Sequence, residues 1–221
     1  MDSCYIIQLP WERRAAKYLE NNELRDKNAF KLGQAIARLH KALKTVQEDV
    51  KPWEGNLYEQ GESAIPIVKK LGMEIGEEFY DDYLKTFSVL HDKLPKQLIH
   101  GNLCGEYAVY ENDEIVGFKG FETYNLSFPR IYDIIWCAGE INSQPLIDVY
   151  LKTLIEMLKG YNSISPLTAE EKQSVYYVSC ATYLKGYGYY SESDETFDLM
   201  ARGNRAMVFL ANNKEKFMNL L

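Results

Sequence analysis

The sequence predicts an α+β fold that is predominantly helical and built around one small β-hairpin. Three observations carry this expectation. Apolar residues recur at three- and four-residue spacing over Ala29, Phe30, Leu32, Ile36, Leu39 and Leu43, the pattern of a helix burying one face. Strand-like segments are confined to Tyr107–Tyr110 and Ile115–Phe118, on either side of the polar turn Glu111-Asn112-Asp113-Glu114. From Ile131 onward helical patterns follow one another almost to the last residue.

Taken in order, the chain opens on Tyr5-Ile6-Ile7-Gln8-Leu9, a short apolar run stopped by Pro10-Trp11. The first amphipathic helix then extends to Leu43. Residues 44–75 read as irregular, because Pro52, Gly55, Gly61, Pro66 and Gly72 punctuate them. Phe79, Tyr83, Leu84, Phe87 and Leu90 form a second amphipathic stripe, closed by Pro95. The hairpin region covers about 98–122. Helices are expected over 131–141 and 146–158, the latter broken by Gly160 and Pro166. Thr168-Ala169-Glu170-Glu171 is a capping box, with Thr168 accepting from the backbone and Glu171 reaching back. Its helix runs to about Leu184, and a last helix spans roughly Thr196 to Met218.

Composition excludes several classes. A chain of 221 residues is read as a single domain, 1–221, large enough to bury most of its apolar surface. With 46% hydrophobic and 13% aromatic residues it lies outside the disordered class. No apolar run approaches a membrane span, and no basic segment leads into an apolar one at the N-terminus, so neither membrane insertion nor secretion is expected. Cys4, Cys104, Cys137 and Cys180 are scattered without Cys-x-x-Cys or paired histidines. They read as reduced thiols of a cytoplasmic protein, and no metal site is expected. A formal net charge of −7 disfavours nucleic acid and anionic membrane as partners and is compatible with a cationic ligand.

The most informative stretch is Leu98-Ile99-His100-Gly101-Asn102-Leu103, followed by Val116-Gly117-Phe118-Lys119-Gly120-Phe121-Glu122. It resembles the catalytic core of the aminoglycoside phosphotransferase and choline kinase superfamily, small-molecule kinases with a protein-kinase-like fold. That family's pattern runs His-Gly-Asp-Leu-His-x-x-Asn, a short hairpin, then Ile-Asp-Phe-Glu. Leu32-Gly33-Gln34-Ala35-Ile36-Ala37-Arg38-Leu39-His40 is similar to the family's helix ending in Leu-His. Pro129-Arg130-Ile131-Tyr132-Asp133-Ile134 is similar to its Tyr-Asp-Leu-Ala segment, in which the aspartate braces the catalytic loop. Glu140, seven residues beyond Asp133, matches a glutamate of choline-kinase-like members. The stretch from Phe121 to Asp133 is one residue longer than the family's spacing.

The resemblance implies the C-terminal lobe of that fold: a remnant hinge strand over 1–10, with Ile7 and Gln8 facing the adenine edge, and a helical lobe over 11–221. On this reading the chain begins at the hinge and lacks the N-terminal lobe. The resemblance also maps the reactive positions. Asn102 stands where the base aspartate belongs, Tyr107 where the metal-binding asparagine belongs, and Gly120 where the second metal-binding aspartate belongs. Phosphoryl transfer of this type relies on positioning and on magnesium held by Asp and Asn, with a carboxylate to take the substrate's proton. Magnesium wants oxygen ligands in near-octahedral geometry. A neutral amide does not accept a proton as a carboxylate does, a phenol is a poor replacement for an amide oxygen, and glycine offers nothing. The chemistry is therefore expected to be lost while the structural props, His100 and Asp133, remain.

Further candidates are weaker. Asn102, as a loop amide, is expected to bond the surrounding loop. His40 reads as a structural histidine at a helix end and His91 as a solvated one. Glu106, Glu122 and Glu140 carry the right ligands for a divalent cation or an amine, although solvated or ion-paired roles are more ordinary for glutamate. Trp136, Tyr183, Tyr187, Tyr189 and Tyr190 fall in segments that the resemblance places on the substrate side. Aromatic faces attract quaternary ammonium groups, but core packing or a protein interface uses the same residues. Lys185-Gly186-Tyr187-Gly188-Tyr189 is the one Gly-rich stretch, and its helical context argues against a phosphate-binding loop.

Two functional readings follow. In the first the chain is a non-catalytic, pseudokinase-like lobe that needs no cofactor. It would bind a protein partner, self-associate through the face left by the N-terminal lobe, or hold a small cationic ligand. In the second it is a small-molecule kinase of the aminoglycoside or choline type, using ATP and Mg, with an N-terminal lobe supplied in trans or with atypical metal ligands.

Overall fold

A computed structural model describes residues 22–47, 55–112, 114–141, 147–190 and 197–220. Its helices are α1 (Asn22–Leu43), α2 (Leu57–Lys70), α3 (Glu77–Asp82), α4 (Ser88–Lys93), α5 (Tyr132–Ile141), α6 (Ile147–Ile164), α7 (Ala169–Tyr190), α8 (Phe197–Asn212) and α9 (Lys214–Met218). A π-helical turn, Tyr83–Phe87, joins α3 to α4 in one continuous run. Strands β1 (Ala108–Glu111) and β2 (Glu114–Phe118) form an antiparallel hairpin with a bulge between Val109 and Tyr110. The expected class, predominantly helical with one small hairpin, is the one found. Among the described residues no helix is long and apolar enough to cross a membrane.

The fold gathers into two compact units, each made of two separate stretches of chain. The first takes residues up to 53 and 96–167, and the second takes 54–95 and 168–221.

In the first unit α1 packs along α6. Leu32, Ile36 and Leu39 of α1 are buried, as are Leu154, Met157, Leu158 and Tyr161 of α6. Two glycines set how close these helices come. A Cβ on Gly33 would lie 2.0 Å from the Met157 carbonyl oxygen, and one on Gly160 would lie 2.0 Å from that of Phe30. The two backbones touch through both positions, a separation that no larger residue permits. This explains a correction to the sequence reading: Gly160 does not break α6, which runs through it to Ile164. A glycine inside a helix costs about 1 kcal/mol of propensity, and the close packing it permits offsets that cost.

In the second unit α2 packs against α7. Helix α2 overturns the expectation of irregular chain over 44–75. Its start is a capping box, in which Asn56 Oδ1 accepts from Glu59 N–H at 2.9 Å and Glu59 accepts from Asn56 N–H at 3.1 Å. Leu57, Gly61, Ala64, Ile65 and Val68 make its buried stripe. Pro66 sits on the exposed side of the helix. The capping box predicted at Thr168 is present, with Thr168 N–H donating to Glu171 at 2.8 Å and Glu171 N–H donating to Thr168 Oγ1 at 3.2 Å. Helix α7 continues past Leu184 to Tyr190. The last expected helix is divided, with Asn213 lying between α8 and α9.

His91 is a further correction. It is buried, with Phe87 and Tyr58 packed near its ring. It falls on the inner face of α4, which the notional solvent side of a helix end had concealed.

Candidate functional site

The loop before β1 is held from below by one carboxylate. Asp133, buried at the start of α5, accepts from His100 N–H at 2.8 Å through Oδ2 and from Gly101 N–H at 2.9 Å through Oδ1. Its Oδ2 also accepts from Nε2 of His40, at 3.0 Å. In the neutral imidazole this leaves Nδ1 of His40 to accept from the Tyr161 hydroxyl, at 3.0 Å. A relay of Tyr161, His40 and Asp133 thus ties α6 and α1 to the loop backbone. Burying a carboxylate is costly unless it is fully hydrogen-bonded, and here three donors converge on it.

Opposite Asp133, the loop pairs with the segment after β2. Ile99 N–H donates to the Asn125 carbonyl at 2.9 Å, and Asn125 N–H returns a bond to Ile99 at 3.1 Å. Gly101 has φ +82°, and a Cβ there would lie 2.1 Å from the Thr123 carbonyl oxygen. Only glycine fits that conformation and that approach. The side chain of Asn125 closes a turn by accepting from Ser127 and Phe128 N–H groups at 2.7 and 2.9 Å.

The three mapped positions cluster on this frame. Asn102 is half-buried, and its amide makes no side-chain hydrogen bond among the described residues. The sequence reading had it bonding the loop. Gly120 is left-handed at φ +83°, and a Cβ on it would meet Cδ1, Cε1 and Cζ of Tyr107, each at 3.1 Å. The Tyr107 ring therefore covers the space into which a side chain at 120 would project. Lys119 N–H donates to the Tyr107 carbonyl at 3.0 Å, fixing the two segments together. The His100 ring stacks on Tyr107 with centroids 5.5 Å apart and lies 4.6 Å from Phe121. His100 Nε2 donates to the Lys119 carbonyl at 2.9 Å. The result is an aromatic cluster of His100, Tyr107 and Phe121, with the Tyr107 ring against the glycine.

These residues do not fit a magnesium ion. Position 120 supplies no side-chain oxygen, and ring carbons of Tyr107 lie 3.1 Å from where a Cβ there would be. Among the described residues no group of three His, Cys, Asp or Glu is placed to hold a metal. The side chains of Glu106, Glu122 and Glu140 lie outside the description, as do Ile7 and Gln8 of the expected hinge.

The aromatic candidates divide between the units. Trp136, in the first, is half-buried and stacks on Tyr132 at 6.0 Å. Tyr183 and Tyr187 belong to the second. Tyr187 is buried and donates its hydroxyl to Asn204 at 2.7 Å, and burial pushes its phenol pKa above the usual range. Burial alone lowers that of Lys185 beside it in sequence. The side chains of Tyr189 and Tyr190 lie outside the description. The Gly-rich stretch is helical throughout, within α7. Cys104 is half-buried, and Cys137 and Cys180 are buried, all as free thiols.

Sequence reasoning located the three mapped positions but missed the contact between two of them. A signal was present in the pairing of a tyrosine with a glycine at those positions, since a ring beside a tight loop needs room.

No family model and no curated protein matches this chain. Among solved structures, it is similar to the microcompartment-associated aminopropanol kinase, at 14% identity and a TM-score of 0.56. The match covers 89% of this chain and 65% of that one, so the chain spans less than two thirds of the kinase's length. The likeness shows the fold alone: a predominantly helical α+β arrangement consistent with the C-terminal lobe of a kinase-like fold.

Proposed function

We propose that this chain is a non-catalytic phosphotransferase-like lobe that binds a protein partner or a small cationic ligand. One observation carries the reading: the Tyr107 ring packed over Gly120, at the two positions that the resemblance assigns to metal ligands. The backbone frame that would present a base is well braced by Asp133, while the base position itself holds an amide. Charge neutralisation is most of what a protein contributes to phosphoryl transfer, and the mapped positions Asn102, Tyr107 and Gly120 carry no carboxylate with which to hold the metal that supplies it. ATP and magnesium are accordingly not needed for its role.

The kinase among its structural neighbours supports a second reading, that of a small-molecule kinase completed in trans or through ligands such as Glu106 and Glu122. That neighbour is named for an amino alcohol, and amino alcohols are the natural probes for a cationic ligand here. The test is a transfer assay with γ-labelled ATP and magnesium against choline, aminopropanol and an aminoglycoside. The proposal expects no phosphorylated product from the pure chain. Magnesium-dependent product would overturn it in favour of the second reading.

A further inference from the structure

A groove of about 740 Å³ runs between the C-terminal half of α1 and the outer side of β2. That size lies within the roughly 300–1,000 Å³ of ordinary ligand sites. Two features of its lining are specific. Ile115, Val116, Gly117 and Phe118 all border it. Successive strand residues point to opposite faces, so a wall that includes four in a row is the edge of the strand. The other edge of β2 is taken by β1, and among the described residues no strand pairs with this one. The facing wall is formed by Ala35, Arg38, Lys41 and Ala42 of α1, by Thr45 in the turn that follows it, and by Ile164.

The second feature is charge. Arg38 and Lys41 are exposed at the groove and form no ion pair or side-chain hydrogen bond among the described residues. The acid nearest in sequence on β2, Glu114, is occupied by Lys31. A chain with a formal net charge of −7 thus presents two cations that no described residue neutralises, along a groove of mixed apolar and polar lining. An open strand edge accepts an extended peptide by main-chain pairing, and unpaired edges are ordinarily protected against it.

We propose that this groove docks an extended acidic peptide of a partner protein, which adds to β2 as a third strand and places carboxylates on Arg38 and Lys41. Its apolar side chains lie on Ala35, Ala42, Val116 and Ile164. This surface is separate from the loop around Gly120, and the inference stands whether or not that loop transfers phosphate.

The test is selection of linear peptides against the full chain, followed by affinity measurement. Peptides alternating acidic and apolar residues are expected to be enriched. Arg38→Glu with Lys41→Glu is expected to weaken them about tenfold, the scale of two exposed ion pairs reversed. Both residues are exposed, so circular dichroism should be unchanged. Methylating alternate backbone nitrogens of a selected peptide is expected to abolish binding, since it removes the strand donors and leaves the protein untouched. Selected peptides without acidic enrichment would overturn the inference. So would full affinity in the charge-reversed variant or in the methylated peptide.

Discussion

At the residue scale the site turns on two side chains, Asp133 and Tyr107. Asp133 is buried and accepts three hydrogen bonds, from His100, Gly101 and His40. Asp133→Ala would strand all three donors, and the expected loss is about 3–5 kcal/mol, as for several buried donors left without an acceptor. Denaturant unfolding checks this; a loss below about 1 kcal/mol would mean that other groups brace the loop. The bracing role of such an aspartate could be named from the motif, because the motif records the residue. The position of Tyr107 was legible, but its effect was not. The sequence shows a tyrosine and a glycine at the positions that the resemblance assigns to metal ligands; it does not show that the ring lies 3.1 Å from where a Cβ on Gly120 would be. His91 escaped for a similar reason, since the face of a short helix that turns inward is decided by neighbours distant in sequence.

Elements are specified by caps and by backbone approach as much as by apolar stripes. The reading of α1 and of the hairpin succeeded because each has one clear period. Helix α2 is hidden from such a reading, because Gly61 and Pro66 read as breakers while its start is marked only by the Asn56–Glu59 capping box. In the structure Gly61 is where the Tyr83 hydroxyl approaches, 2.2 Å from a notional Cβ, so the glycine is a packing residue. The same logic makes two helix glycines behave oppositely. Gly160→Ala would drive a methyl into the Phe30 carbonyl, and the expected cost is about 3 kcal/mol or more, at the upper end of overpacking. Gly188→Ala meets nothing closer than Ala64 Cβ at 3.7 Å. It should gain up to about 1 kcal/mol through reduced chain entropy. Thermal unfolding of the two variants decides this, and equal shifts would contradict the close crossing of α1 and α6.

At the scale of the whole molecule the helical class and its small sheet were readable from periodicity, and the likeness to a solved kinase agrees with them at 14% identity. The two compact units were not readable, because each is assembled from stretches that alternate along the chain. No composition shift marks such a boundary. The central claim is that a kinase-type frame is kept while the metal cradle is filled by an aromatic ring. The most direct measurement is electron paramagnetic resonance of Mn²⁺ with ATP, titrated with the full chain. Mn²⁺ shares magnesium's preference for oxygen ligands, and its spectrum separates protein-bound from free metal–nucleotide. The account predicts a spectrum unchanged by the protein. A stoichiometric bound signal would contradict it, because the metal would then have found ligands despite the ring of Tyr107 over Gly120.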